Sequence, residues 1–216
     1  MNYRHLKEEI ANSLTHGLGV VLFIIAIPVI VSWAVFKGSS QHIWAVSIFS
    51  VSLLLVYSVS TIYHSIQEPE VKKVMRVVDH ISIYFLIAGS YTPFILFFMN
   101  QLWGYVFLGF VWAIALFGTV FKIFFTGRFK VFSIILYLFM GWMVMFIARP
   151  VFGAMSFEGL LWLIIGGAAY TLGTVFFMWE KLRYHHAIWH LFVLMGSVSH
   201  YISVFYSMDY VLHATH

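Results

Sequence analysis

The sequence predicts an all-α integral membrane protein, a single domain over residues 1–216 built as a seven-transmembrane-helix bundle. Two observations carry this. Hydrophobic residues make up 62% of the 216 and charged residues only 9%, whereas a soluble domain carries roughly 25% charged residues, so most of this surface cannot face water. Apolar runs close to the ~20 residues needed to cross a bilayer also recur seven times along the chain.

The first run, Leu18 to Phe36, follows a polar lead (1–17, expected to be cytoplasmic) that contains Glu8 and Glu9. It is too long for the apolar part of a cleaved signal and lacks an A-x-A-like exit, so it reads as a retained helix. Further runs lie at 43–63, 77–99, 102–121, 131–148, 160–179 and 187–208. They are divided by Lys37-Gly38-Ser39-Ser40, Gln67-Glu68-Pro69-Glu70, Asn100-Gln101, Thr126-Gly127-Arg128, Arg149-Pro150 and Glu180-Lys181-Leu182-Arg183. Asn100-Gln101 is the weakest divider. Pro28 and Pro93 fall inside runs and are expected to kink their helices, with neighbours meeting the freed carbonyls. Gly159, Gly166 and Gly173 recur every seven residues, a small-residue seam that lets another helix approach.

Seven spans put Arg4, Lys7, Lys72, Lys73, Arg76, Lys122, Arg128, Lys130, Lys181 and Arg183 on one side, and only Lys37 and Arg149 on the other. Positive-inside bias then places the N-terminus in the cytoplasm and the C-terminus outside a multi-pass cell membrane protein. The excess of 12 basic over 8 acidic residues marks loops at an anionic leaflet rather than nucleic-acid binding. Cysteine is absent, which excludes disulfides and thiolate ligands; any metal must be held by His, Asp or Glu.

Ionisable groups at membrane depth are costly and ask for a reason. Here they gather at one leaflet. Glu9, Asn12 and His16 precede the first span with i, i+3, i+7 spacing, a polar stripe on a helix entering the membrane. Ser60 and His64 close the second span one helical turn apart, and Asp79 opens the third. His186 and His190 open the seventh at i, i+4, which sets both imidazoles on one face about 6 Å apart along the axis. Each signal alone has an ordinary reading: a hydrogen-bonded histidine pair, a helix-start aspartate acting as cap, or a histidine reaching for the interface. Three His and an Asp converging from three helices favour a metal instead. Zn2+ suits imidazole and carboxylate, and three protein ligands would leave one position open. Ser60 is placed to support the His64 imidazole or a bound water. His200, on the same face as His186 but deeper, is expected to make a buried hydrogen bond or, second, to line a cavity. His80 should point about 100° away from its neighbour Asp79. His5, His42, His185, His213 and His216 read as interfacial or solvated.

The ordered set E-x2-N-x3-H at Glu9, Asn12 and His16, S-x3-H at Ser60 and His64, then Asp79, and H-x3-H at His186 and His190 resembles the hemolysin III and progestin/adipoQ receptor family over nearly the whole chain. The resemblance implies seven helices, a cytoplasmic N-terminus and zinc near the inner leaflet. The ligands it implies are His64, His186 and His190, with Asp79 holding a zinc-bound water and Ser60 supporting; it gives Glu9, Asn12 and His16 no definite role. The lead before the first span is short, so no protein hormone is expected as partner, and membrane lipids are. The implied activity is that of a zinc-dependent hydrolase of a lipid amide or ester, ceramide-like, serving membrane lipid homeostasis, with Asp79 and Ser60 at the reaction. Two alternatives stand beside it: a non-enzymatic membrane-homeostasis regulator with structural zinc, and a pore-forming hemolysin.

Overall fold

The computed structural model describes residues 3–126 and 128–214; Gly127 and His216 lie outside them. The chain runs α1 (Tyr3–Lys37), α2 (Ser40–Ser65), α3 (Pro69–Phe98), α4 (Gln101–Phe125), α5 (Lys130–Trp142), a 3-10 turn (Met143–Ile147), α6 (Ala148–Phe152), α7 (Phe157–Met178) and α8 (His185–Ala214). Seven spans are long and apolar enough to cross a membrane, with α5, the turn and α6 forming the fifth, Lys130–Phe152. Among the described residues there is no strand. Large apolar side chains point outward along the bundle, among them Phe36, Phe124, Phe146 and Phe157. The interior holds an unusual number of polar groups, including Glu9, Asn12, His64, Asp79, Lys122 and His190. That inside-out distribution is what a lipid solvent selects.

Asn100 does divide two helices: its side chain accepts from the Trp103 N–H and caps α4. Glu68 caps α3 in the same way, with Pro69 at the first helical position where a missing N–H costs nothing. The Val71 and Glu70 N–H groups hold the Glu68 carboxyl below its ordinary range. Helices overrun the apolar runs at the starts of α1 and α3. α1 is continuous from Tyr3, and α3 starts a full two turns before residue 77, because interhelical polar contacts reward those turns where hydropathy does not. Pro28 and Pro93 sit within helices that continue past them.

The glycine seam of α7 faces α8. A Cβ on Gly166 would strike the His200 ring, one on Gly173 would meet Trp189 and Phe192, and one on Gly159 would press on Ser207. Ser203 donates to the Gly159 carbonyl at 2.6 Å across the same interface.

The fifth span is broken just before Pro150, which has no N–H to offer the Phe146 carbonyl inside the turn. Tyr91 of α3 is what permits it. Its hydroxyl hydrogen is directed at the carbonyls of Met140 (2.7 Å) and Gly141 (2.8 Å), and its oxygen accepts from the Val144 N–H at 2.7 Å. One side chain thus satisfies backbone groups that the change of helix type releases in a medium with no water to take them.

Candidate metal centre

Four helices bring the polar motifs to one end of the bundle. One ligand atom each from His64 (α2), His186 and His190 (α8) lie within 4.8 Å of one another. Their ring centroids are 5.1 Å (His64–His186), 5.1 Å (His64–His190) and 4.5 Å (His186–His190) apart. A tetrahedral zinc with Zn–N of about 2.1 Å needs nitrogens about 3.4 Å apart, so the three rings are gathered to within about an ångström or so of ligation.

The hydrogen bonds choose which nitrogen of each fixed ring is free. His190 Nδ1 donates to the Asn12 carbonyl at 3.1 Å and lies 3.2 Å from Thr15 Oγ1, whose own hydrogen is directed at Ala11 and Asn12 carbonyls. That leaves Nε2 with its lone pair. His64 Nδ1 donates to the Glu9 carboxylate, which can only accept, at 3.4 Å; the Asn12 amide lies 3.5 Å from the same nitrogen. Its Nε2 is buried and has no hydrogen-bond partner among the described residues. An orphaned acceptor at membrane depth costs on the order of 1–3 kcal/mol, and a metal ion held there would answer it. The donor set of three imidazoles without sulfur suits zinc.

Glu9 is in turn held by Lys72 of α3, whose ammonium donates to the same carboxylate oxygen and to the carbonyls of Tyr63 (3.3 Å) and Ile66 (3.0 Å) at the end of α2. The Lys72–Glu9–His64 chain therefore links α3, α1 and α2. Metal-bound histidines ordinarily give their second N–H to a carboxylate or carbonyl, which orients the ring and raises its basicity. Glu9 and the Asn12 backbone occupy those two positions. The geometry gives the polar stripe of α1 a supporting role that spacing could not define. Sequence reasoning missed Lys72 and Thr15 altogether. Lys72 was absorbed into the count of basic loop residues, and Thr15 carries no signal except its place on the stripe.

His16 is not one of the three. Its ring stacks on His190 at 3.5 Å and 21°, meets Tyr57 edge-on at 5.0 Å, and both its nitrogens are buried without a partner among the described residues. Asp79 is also outside the three-histidine group. It lines, with Ser60, His186 and His190, a cavity of about 670 Å³ that extends between the helices to His200. The Ser60 hydroxyl is buried near the Asp79 carboxylate but does not meet hydrogen-bond geometry there.

His200 departs from the first expectation. Neither ring nitrogen makes a hydrogen bond among the described residues, and the ring lies edge-on to Tyr170 at 5.3 Å as part of the cavity wall. Gly166 makes room for the ring but offers it no polar partner. His80 sits closer to the site than neighbouring helix positions suggest: it lines the cavity 4.0 Å from Asp79 Oδ2 and donates to the Arg76 carbonyl at 2.6 Å. His185 is tied to the Phe176 carbonyl and His213 to that of Asp209.

Known proteins share this chain's sequence over almost its full length. Residues 4–201 match the family described as Haemolysin-III related. The chain is 44% identical over 201 residues to the "Hemolysin-3 homolog" of Bacillus subtilis (strain 168), covering 93% of this chain and 94% of that protein. It is 42% identical over 201 residues to "Hemolysin-3" of Bacillus cereus, covering 93% and 92%. It is 31% identical over 207 residues to the human "Monocyte to macrophage differentiation factor", covering 91% and 83%. Seven apolar helices, a histidine-lined site at one end and these matches lead to one assignment: the chain is a multi-pass membrane protein of the Haemolysin-III related family.

Proposed function

We propose that the protein is a zinc-dependent hydrolase of a lipid amide or ester, working inside the bilayer in the service of membrane lipid homeostasis. The observation that carries this is the position of His186, His190 and Asp79 at the wall of a largely apolar cavity inside the bundle, with His64 grouped beside the two histidines. A structural staple needs no such space. His64, His186 and His190 would hold the ion. When bound, zinc supplies a water whose pKa is lowered toward ~7 and a Lewis acid for a carbonyl.

The chain's own residues do the rest. Leu86, Ile87, Leu163 and Val193 line the cavity and offer an acyl chain an apolar surface while excluding bulk water. Asp79 carries a carboxylate that accepts the proton of the attacking water and returns it to the leaving amine or alcohol. Ser60 offers a hydroxyl beside it. Glu9 and the Asn12 carbonyl keep His64 and His190 in the tautomer that points Nε2 inward. The basic end of the bundle, which includes this site, is the cytoplasmic end on this reading.

The test is metal analysis of the purified protein joined to a hydrolysis screen in vesicles doped with ceramide-like amides and simple esters. About one zinc per chain and turnover abolished by chelation are expected. A zinc-loaded protein that turns over none of these lipids favours the second reading, a non-enzymatic regulator in which zinc is structural. That reading has its own support in the Lys72–Glu9–His64 and Asn12–His190 links, which tie four helices together. The relatives' name adds a third, pore formation, which dye leakage from liposomes exposed to the protein would reveal.

A further inference from the structure

A second polar site lies at the same end of the bundle, between α3, α4, α5 and α7. It is a pocket of about 150 Å³ walled by Arg76, His80, Lys122, Arg128, Lys130 and Tyr137. Four cations in one small pocket is an unfavourable arrangement, since like charges at contact distance repel even near a protein surface. Among the described residues only one of them is neutralised: Lys130 pairs with Glu180 at the rim, where its ammonium holds the Glu180 carboxyl below the usual range. Asp79, the other nearby carboxylate, faces His80.

Lys122 is the decisive residue. It lies within the fourth membrane span and is 3% exposed. Among the described residues its side chain has no hydrogen bond and no ion pair, only the Tyr137 ring with the ammonium 5.9 Å from its centre. A lysine serving only to mark the cytoplasmic side would extend to water, as Arg76, Arg128 and Lys130 do. This one is folded into the bundle with its ammonium at the pocket and no anion against it among the described residues, and such a group in a membrane segment is costly unless an anion arrives. The His80 Nδ1–H is already spent on the Arg76 carbonyl, so its Nε2 edge is the part left for a ligand.

We infer that this pocket binds a phosphate group, held by Lys122 in the interior and by Arg76 and Arg128 at its mouth. Basic pockets between membrane helices at the level of the headgroups are built to hold phospholipid phosphates, and guanidinium pairs match phosphate oxygens. The pocket shares His80, Tyr137 and Phe177 with the large cavity. A lipid anchored here by its phosphate therefore has an apolar path beside it for a chain. None of the cations belongs to the three-histidine group, so the inference does not rest on the hydrolytic reading.

The full-length protein in detergent, titrated with phosphatidylglycerol, phosphatidylcholine or inorganic phosphate and read by native mass spectrometry, tests it. Phosphatidylglycerol, a net anion, should bind at least tenfold more tightly than phosphatidylcholine, whose phosphate is offset by its own choline cation that the four pocket cations repel. Lys122→Gln should lower phosphatidylglycerol affinity about fivefold, and Arg76→Gln with Arg128→Gln about 25-fold together, at roughly fivefold for each cation near the surface. Helix content by circular dichroism and a single elution peak certify the fold. If Lys122→Gln fails that check, the exposed double variant alone decides. Competition by inorganic phosphate, lost in the same variants, supports the site with a free phosphate as its ligand; its absence assigns the phosphate to a lipid. Equal binding of both lipids with no effect of inorganic phosphate, or a phosphatidylglycerol preference unchanged in the double variant, overturns the inference.

Discussion

Replacing Glu9 by Gln probes the support of the proposed metal site without touching one of its three histidines. The Glu9 side chain is 11% exposed, with one carboxylate oxygen 3.4 Å from His64 Nδ1 and bonded to Lys72. Gln fills the same volume and still offers an oxygen, but it removes the charge that polarises the His64 N–H and neutralises Lys72. Without that charge His64 Nε2 is a weaker base and its tautomer is less firmly set. Losing such a partner lowers metal affinity typically 10–100-fold, about 1.4–2.8 kcal/mol. Lys72 keeps its bonds to the Tyr63 and Ile66 carbonyls, so the end of α2 should stay in place. Lys72→Met leaves the Glu9–His64 contact intact and should cost less affinity than Glu9→Gln. Competition between the purified protein and a fluorescent zinc chelator measures both. Wild-type zinc affinity in Glu9→Gln, at unchanged helix content, would refute the supporting role assigned to α1.

Other consequences follow from the same geometry. Tyr91→Phe strands carbonyls of Met140 and Gly141 and the Val144 N–H; a loss of about 1–3 kcal/mol in unfolding from detergent is expected, concentrated in the fifth span by hydrogen exchange. Gly166→Ala drives a methyl into the His200 ring and should destabilise the α7–α8 pair by about 1–3 kcal/mol, despite alanine's better helix propensity; a stabilised variant would contradict the close packing. His64→Ala, His186→Ala and His190→Ala should each lose most copurifying zinc, whereas His200→Ala should keep it, as read by elemental analysis; full zinc in the first three would remove the site.

Much of the architecture was legible because lipid imposes a coarse rule: every span must be long and apolar, and seven runs obey it. What hydropathy could not show are the polar helical turns. Residues 3–17 continue α1, held by contacts such as Ser13 to Ser65 and Glu9 to Lys72, which join positions more than fifty residues apart. The break in the fifth span was half hidden: Pro150 marked an end to the apolar run, but the tyrosine that satisfies the broken turn belongs to the third span. In the site, His64, His186, His190 and Asp79 stood out because histidine and aspartate are expensive at that depth. Lys72 did not, because a lysine at the basic end needs no special reason until its partner is seen. Lys122 was lost for the same cause. Of the two readings of His200, the second holds: its ring lines the cavity and makes no hydrogen bond among the described residues.

Asp79 offers the most direct test of the central claim, that the histidine site performs chemistry on lipids. Asp79→Asn keeps the size of the side chain and removes its charge and proton acceptor, and it leaves the three imidazoles untouched. The measurement is turnover of an amide or ester lipid by zinc-loaded wild type and zinc-loaded Asp79→Asn in the same vesicles. The expected result is equal zinc content with a rate about 10²–10⁴-fold lower in the variant. Equal rates in the two proteins, or no turnover by zinc-loaded wild type, would contradict it.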